Sequence, residues 1–333
     1  VAALLDLLLV IAGIAILYWG AEWLIRGSAQ VARAFGVKPL VVGLTVVAYG
    51  TSAPELAIAT KTALTHHEPI ALGTVIGSCA ANISLILGIT ALISPPTIDG
   101  RIIRREVPVL LGSAIAVPLL FRNGVLSHYE GLILICCAVV FTIATLTVSA
   151  RLDPDDALEA ESRRIEVLRT EESGAMLGGK GRPGASRATA ALQTAVGLIL
   201  LVVGSDLFVR GGRGLGSVLG ISERMLGLTV ISLGTALPEL IGSAVAASRG
   251  QAALAIGSVI GSNVLNVFLV LGVTAYLRPI RAGELMHLSD LIGLVGITLL
   301  GILMLRGSRK ISRLEGAILV LAYVAFIATA AIF

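Results

Sequence analysis

The chain has 333 residues, of which 56% are hydrophobic and only 14% charged, and its mean hydropathy is +0.95. A soluble domain is nearer a quarter charged, so the composition excludes an ordinary water-soluble enzyme or binding module. The net charge of +4 is no nucleic-acid footprint, because the basic residues fall in loops between apolar runs.

Those runs are about 18–25 residues long, enough to cross a bilayer core as helix. In chain order ten spans are expected: 3–25, 38–64, 70–94, 106–121, 126–149, 190–209, 225–247, 253–277, 288–305 and 314–333. The fourth is short and contains Pro108 and Pro118. The fold class is therefore an all-α polytopic membrane protein. Between the fifth and sixth spans lies the only long polar segment, 150–189, acidic at first and Gly-rich at its end. It reads as a linker with one short surface helix at 155–169. Cys79, Cys136 and Cys137 form no CxxC pair and no disulfide framework, and read as small apolar packing residues. The chain opens at Val1 rather than a methionine, which leaves a preceding leader open.

The sequence repeats itself. Residues 43–56 read GLTVVAYGTSAPEL and residues 227–240 read GLTVISLGTALPEL. Glu55 and Glu239 are 184 apart, and so are Gly20 and Gly204, Arg26 and Arg210, Gly77 and Gly261, Ser78 and Ser262, Asn82 and Asn266, and Pro95 and Pro279. Two units follow, 1–149 and 190–333, joined by 150–189. Five spans per unit is an odd number, so the second unit enters the membrane from the opposite side. Such inverted repeats place a binding site near the midplane between the copies. With both termini outside and 150–189 in the cytoplasm, 18 of the 25 Lys and Arg lie in inner loops, as the positive-inside rule requires. The location expected is the cell membrane, multi-pass.

A carboxylate inside a membrane span is costly and marks a functional site by default. Seen once, Pro54-Glu55 could be a kink beside a satisfied acid; seen twice at one register, it points to function. Pro54 removes a backbone donor and frees carbonyls around Ala48–Gly50. Ala48, Thr51, Ser52 and Glu55 share one helix face, as do Ser78 and Asn82 on the next span. Gly73 and Gly77 form a GxxxG that permits close helix approach. The second copy repeats the pattern with Ser232, Thr235, Glu239, Ser262 and Asn266, and with Gly257 and Gly261. Two carboxylates, two amide oxygens and several hydroxyls are hard ligands. They suit Ca²⁺, which takes about 6–8 oxygens, and Na⁺, which is of similar size.

GTSAPE with GSCAAN, and GTALPE with GSNVLN, resemble the two α-repeats of the cation/Ca²⁺ exchanger superfamily, most closely its prokaryotic sodium/calcium exchanger branch. The resemblance implies ten helices in two inverted five-helix units, with the ion site between the second, third, seventh and eighth. It implies ligands at Ala48, Thr51, Ser52, Glu55, Ser78 and Asn82, and at Ser232, Thr235, Glu239, Ser262 and Asn266. It also implies Na⁺ entry driving Ca²⁺ export by alternating access, commonly three for one. Three positions depart from the pattern. Ala236 replaces a serine common in relatives, which leaves the sodium stoichiometry open and predicts one weak Na⁺ site. Asn266 replaces an Asp that accompanies K⁺ co-transport, which argues against that subtype. Cys79 stands where Asn is usual.

The function expected is thus Na⁺/Ca²⁺ antiport, with Ca²⁺/H⁺ antiport as the alternative and a cation channel as a more distant one. No nucleophile–base pair or HExxH points to an enzyme. The expected partners are the two ions as substrates and the lipid bilayer, with no cofactor, no nucleic acid and a monomeric state. His66, His67 and Glu68 read as a solvated turn. Glu22 and Asp206 read as structural ion pairs with Arg26 and Arg210 at i+4.

Overall fold

Within a bilayer every peptide group has to be bonded inside the protein, which restricts long apolar runs to helices or closed barrels. In the computed structural model this chain takes the helical solution. The structure describes residues 2–35, 39–65, 68–96, 100–149, 187–218, 232–281, 288–307 and 311–332. The expected helix at 155–169, His66 and His67, and the 225–231 start of the seventh span lie outside the described residues.

In chain order the helices are α1 (Ala2–Phe35), α2 (39–64), α3 (68–93), α4 (Gly100–Leu120), α5 (128–149), α6 (Arg187–Val218), α7 (Ser232–Ser248), α8 (252–277), α9 (Leu288–Gly307) and α10 (Arg313–Ile332). Six described stretches are long and apolar enough to cross a membrane by length and composition: Ala3–Val31, Leu40–Leu64, Ala71–Ile93, His128–Thr147, Ala188–Gly216 and Ala252–Leu277. Leu291–Arg306 is a shorter apolar helix. Leu44, Ile83, Leu110, Leu254 and Ile256 are buried, whereas Leu4, Ile133, Val140, Leu303 and Leu321 are exposed on outer faces. A continuous apolar exterior suits lipid rather than water.

Two helices run well past their expected ends. The polar residues Glu22, Arg26, Ser28 and Gln30 do not stop α1, and α6 likewise continues beyond 209. The two pack along their lengths against each other. Gly13, Gly20 and Gly27 recur every seven residues, as do Gly197, Gly204 and Gly211. A Cβ on Gly13 would lie 2.8 Å from Gly204 O, and one on Gly20 2.9 Å from Leu201 N. The helices therefore run antiparallel with backbone laid on backbone, as small residues permit. α4 also starts earlier than expected, at Gly100, and stays helical through Pro108 and Pro118.

α2 and α8 make a second close pair. A Cβ on Gly43 would lie 2.6 Å from Leu254 O, one on Gly257 2.6 Å from Leu40 O, and one on Gly261 2.8 Å from Leu44 O. The loops are tied too. Strands β1 (Val125–Leu126) and β2 (Ile280–Arg281) pair antiparallel, with Leu126 opposite Ile280. Ile311 N–H donates to Pro96 O at 3.2 Å. Capping boxes start α5, at Ser127 and Glu130, and α10, where Ser312 N–H donates to the Glu315 carboxylate at 2.7 Å.

Candidate ion-binding site

The two carboxylates sit on helices that cannot be regular. In α2 a π-helical turn spans Gly43–Val47, and a one-residue interruption falls at Ser52 (φ −79°, ψ 0°) before the helix resumes at Ala53. Pro54 has no N–H to offer Gly50 O. Ala48 O accepts from Ser52 N–H at 3.0 Å and lies 3.5 Å from the Thr51 hydroxyl, so of the carbonyls expected to be free around Ala48–Gly50 this one is already engaged. In α7 the helix is continuous from Ser232 to Ser248 through Pro238. There the carbonyl that proline strands, Gly234 O, accepts instead from the Ser205 hydroxyl of α6 at 2.6 Å.

The asparagines fall at the starts of two further π-helical turns, Asn82 as the second residue and Asn266 as the first. Ala81–Ile86 in α3 and Asn266–Leu271 in α8 occupy matching places in the repeat, with Asn82 and Asn266 at their starts. A π-turn adds a residue to the helix and re-aims its side chains, and such turns concentrate at functional sites. The turn in α3 packs against α7 and α8, and the turn in α8 against α2, α3 and α5.

All the expected site residues are buried. Ala48, Glu55, Ser78, Asn82, Thr235, Glu239, Ser262 and Asn266 have no exposed surface, and Thr51, Ser52 and Ser232 have 1%. Both oxygens of Glu55 and of Glu239, both amide atoms of Asn82 and of Asn266, and the hydroxyls of Ser52, Ser78 and Ser232 make no hydrogen bond within the protein. Buried polar groups are nearly always bonded, and an unpaired buried charge costs several kcal/mol. Unpaired buried oxygens on two acids, two amides and three serines are what a cation-binding site requires.

The structure brings the two halves together. Glu55 and Glu239 are electrostatic neighbours, with Ser78 against the Glu55 carboxylate. Thr51, Ser52 and Ser262 lie against the Glu239 carboxylate, without reaching hydrogen-bond geometry to it. Two of the first copy's hydroxyls, on Thr51 and Ser52, thus face the second copy's acid. Thr51 Oγ1 is 3.4 Å from Ser262 Oγ. Both threonines donate back to their own helices, Thr51 to Val47 O at 3.0 Å and Thr235 to Ser232 O at 3.0 Å, which leaves their lone pairs as acceptors. Gly77 abuts Ser232, and Gly261 abuts Ala48, the matching residue of the other copy. Among the described residues no three His, Cys, Asp or Glu cluster, so neutral oxygens have to complete the shell of any ion held here. Such a set suits a hard cation of flexible geometry.

Three features escaped the sequence reading. One is the Ser205 bond to Gly234 O. Another is Ser243, one turn past Glu239 on the same helix, 2% exposed with its hydroxyl unpartnered; its counterpart in the first copy is Ala59. The third is a contact between matching residues, Cys79 Sγ to Asn263 O at 3.8 Å. Nothing in their local sequence sets these apart, because each depends on which helix lies opposite. The expected i+4 pairs are present, Arg26 with Glu22 at 2.9 Å and Arg210 with Asp206 at 2.7 Å.

Known proteins resemble the chain over almost its full length. The family model described as "Sodium/calcium exchanger protein" matches residues 5–147 and again 189–331, two matches displaced by 184. A putative antiporter, CaxA, of Alkalimonas amylolytica is 32% identical over 95% of this chain and 96% of its own. The sodium/calcium exchanger MaX1 of Methanosarcina acetivorans is 27% identical over 97% of both. A solved structure of the sodium-calcium exchanger NCX_Mj, soaked with Na⁺ and Sr²⁺, superposes with a TM-score of 0.80 at 29% identity, covering 98% of each chain.

Proposed function

Because the chain belongs to the sodium/calcium exchanger protein family, we propose that it is an antiporter exchanging Na⁺ for Ca²⁺ by alternating access. The ion site lies between α2, α3, α7 and α8 and is built from Ala48, Thr51, Ser52, Glu55, Ser78 and Asn82 with Ser232, Thr235, Glu239, Ser262 and Asn266. One observation carries this reading: the two copies each bury an acid and an amide whose polar atoms have no protein partner. Ca²⁺ offsets both carboxylates together. Na⁺ ions, each with half the charge, have to use the same oxygens, so the two ions compete and one leaves as the other enters.

The architecture proposed is ten membrane helices in two inverted five-helix units, 1–149 and 190–333, joined by the 150–189 loop. The antiparallel run of α1 on α6 supports it, since inversion makes the first helix of each unit point opposite ways. Both termini lie outside and the loop lies in the cytoplasm. A monomer suffices, because one chain supplies both halves of the site.

The test is Ca²⁺ uptake into proteoliposomes under an outward Na⁺ gradient, and separately under a pH gradient. Uptake is expected with the Na⁺ gradient alone. Uptake driven by the pH gradient without Na⁺ would make the chain a Ca²⁺/H⁺ antiporter instead.

A further inference from the structure

Glu22 lies well inside α1, with its side chain only 11% exposed. Arg26, one turn on, supplies a local partner. A second cation comes from another part of the chain. Arg249, in the turn between α7 and α8, donates from Nη2 to both Glu22 oxygens, at 2.6 and 2.5 Å. Tyr18, Trp19 and Trp23 line the pocket of about 220 Å³ around this group.

The repeat supplies the comparison. Displaced by 184, Glu22 becomes Asp206, Arg26 becomes Arg210, and Arg249 falls on Thr65 at the end of α2. Asp206 keeps its i+4 arginine, but its side chain is 52% exposed. Thr65 carries no charge, and its hydroxyl donates to Lys61 O at 3.0 Å and Thr62 O at 3.1 Å. So α1 is fastened to the turn after α7, while among the described residues Asp206 of α6 pairs only with Arg210 of its own helix.

We propose that Glu22 and Arg249 form a one-sided latch that holds shut the face of the molecule bearing the α7–α8 turn, and that favours the conformation open on the opposite face. This rests on the alternating-access reading above. When inverted units exchange conformations, Asp206 takes up the position toward Thr65 that Glu22 now holds toward Arg249. The ion pair broken on one face is then not remade on the other. A contact present in only one of two states shifts their populations by its full differential strength. α1 and α6 carry the change together because their backbones are packed in contact. Arg26 stays beside Glu22 throughout, so opening the latch does not strand a buried charge.

Two variants test it, one removing the latch and one adding its counterpart. Arg249→Thr copies the first unit into the second. Thr65→Arg offers Asp206 a second cation, the counterpart of Arg249, at an exposed position. The measurement is self-exchange of radiolabelled Ca²⁺ in membrane vesicles of both orientations, giving the half-saturating Ca²⁺ at each face. The ratio of that value at the latched face to the value at the opposite face is proportional to the population ratio of the two states. Both variants are expected to lower this ratio, Arg249→Thr by roughly three- to tenfold. An unchanged ratio in either variant, with exchange intact, overturns the latch. Absence of exchange in the unmodified protein overturns the transport reading itself, and the latch with it.

Discussion

In the first copy of the site motif, Ala48, Thr51, Ser52 and Glu55 lie on a helix interrupted at Ser52. In the second, Ser232, Thr235, Ala236 and Glu239 lie on a helix unbroken from Ser232 to Ser248. Each copy has one acid, one threonine and one serine, but the serine has moved by one turn, from the residue three before the acid to the residue seven before it. The acids and asparagines match in place, in burial and in lacking protein partners. Charge fixes the first set of positions and packing the second. Two carboxylates are needed wherever a divalent ion has to be neutralised, and no neighbour substitutes for them. A hydroxyl is one neutral oxygen among several, and its position drifts with the helix that carries it.

The largest effect is expected where the copies agree. Glu55→Gln and Glu239→Gln keep the size of the side chain and halve the negative charge of the cavity. One carboxylate does not offset Ca²⁺ away from water, so each variant should lose at least about 99% of Ca²⁺ exchange while inserting normally, as flux assays and detergent chromatography would show. Wild-type exchange by either variant breaks the equivalence of the two acids.

The amides sharpen the same point. Asn82→Ala and Asn266→Ala each remove one neutral ligand at the start of a π-helical turn. Each should raise the half-saturating Ca²⁺ by about tenfold, the cost of one good hydrogen-bonding group, and by similar factors. A large effect in one and none in the other would mean that only one half of the cavity holds the ion.

A smaller effect is expected where the copies differ in support. Ser205→Ala leaves Gly234 O without its side-chain donor, and unfolding in detergent should show a loss of about 1 kcal/mol. The first copy offers no matching deletion, since Ala21 occupies the position of Ser205. Full stability in Ser205→Ala would mean that Gly234 O finds another donor.

The smallest effect is at the displaced hydroxyl. Ala236→Ser restores the oxygen that Ser52 supplies in the first copy. It should lower the half-saturating Na⁺ concentration by about two- to fivefold, one added neutral ligand mattering more to a monovalent ion, while Ca²⁺ affinity changes little. Superimposed Na⁺ titrations of variant and wild type would show that Ser232, a water or a carbonyl already fills that place.

The parts legible in the sequence were those written into single helices or into the repeat. Buried acids after prolines, helical faces at i, i+3, i+4 and i+7, and a fixed displacement of 184 all survive as local patterns. Helix ends were less legible. α1 and α6 extend past their expected limits because glycines seven apart let them pair, and that stripe becomes meaningful only once the partner helix is known. The freed carbonyls expected around Ala48–Gly50 narrow to one end of that range: Ala48 O is bonded to Ser52 N–H, while the proline in each copy strands the residue four before it. The π-turns at Asn82 and Asn266 leave no mark in the residues themselves. Ser205 and Arg249 act on partners 29 and 227 residues away, distances over which periodicity carries no information.

In the proposed exchanger one site, shared by both copies, holds either Ca²⁺ or Na⁺. Equilibrium Ca²⁺ binding to the purified protein, titrated with Na⁺, tests it most directly. Na⁺ is expected to displace Ca²⁺ completely, and Glu55→Gln and Glu239→Gln each to abolish Ca²⁺ binding. Ca²⁺ binding that persists in either variant, or that saturating Na⁺ leaves untouched, would contradict it.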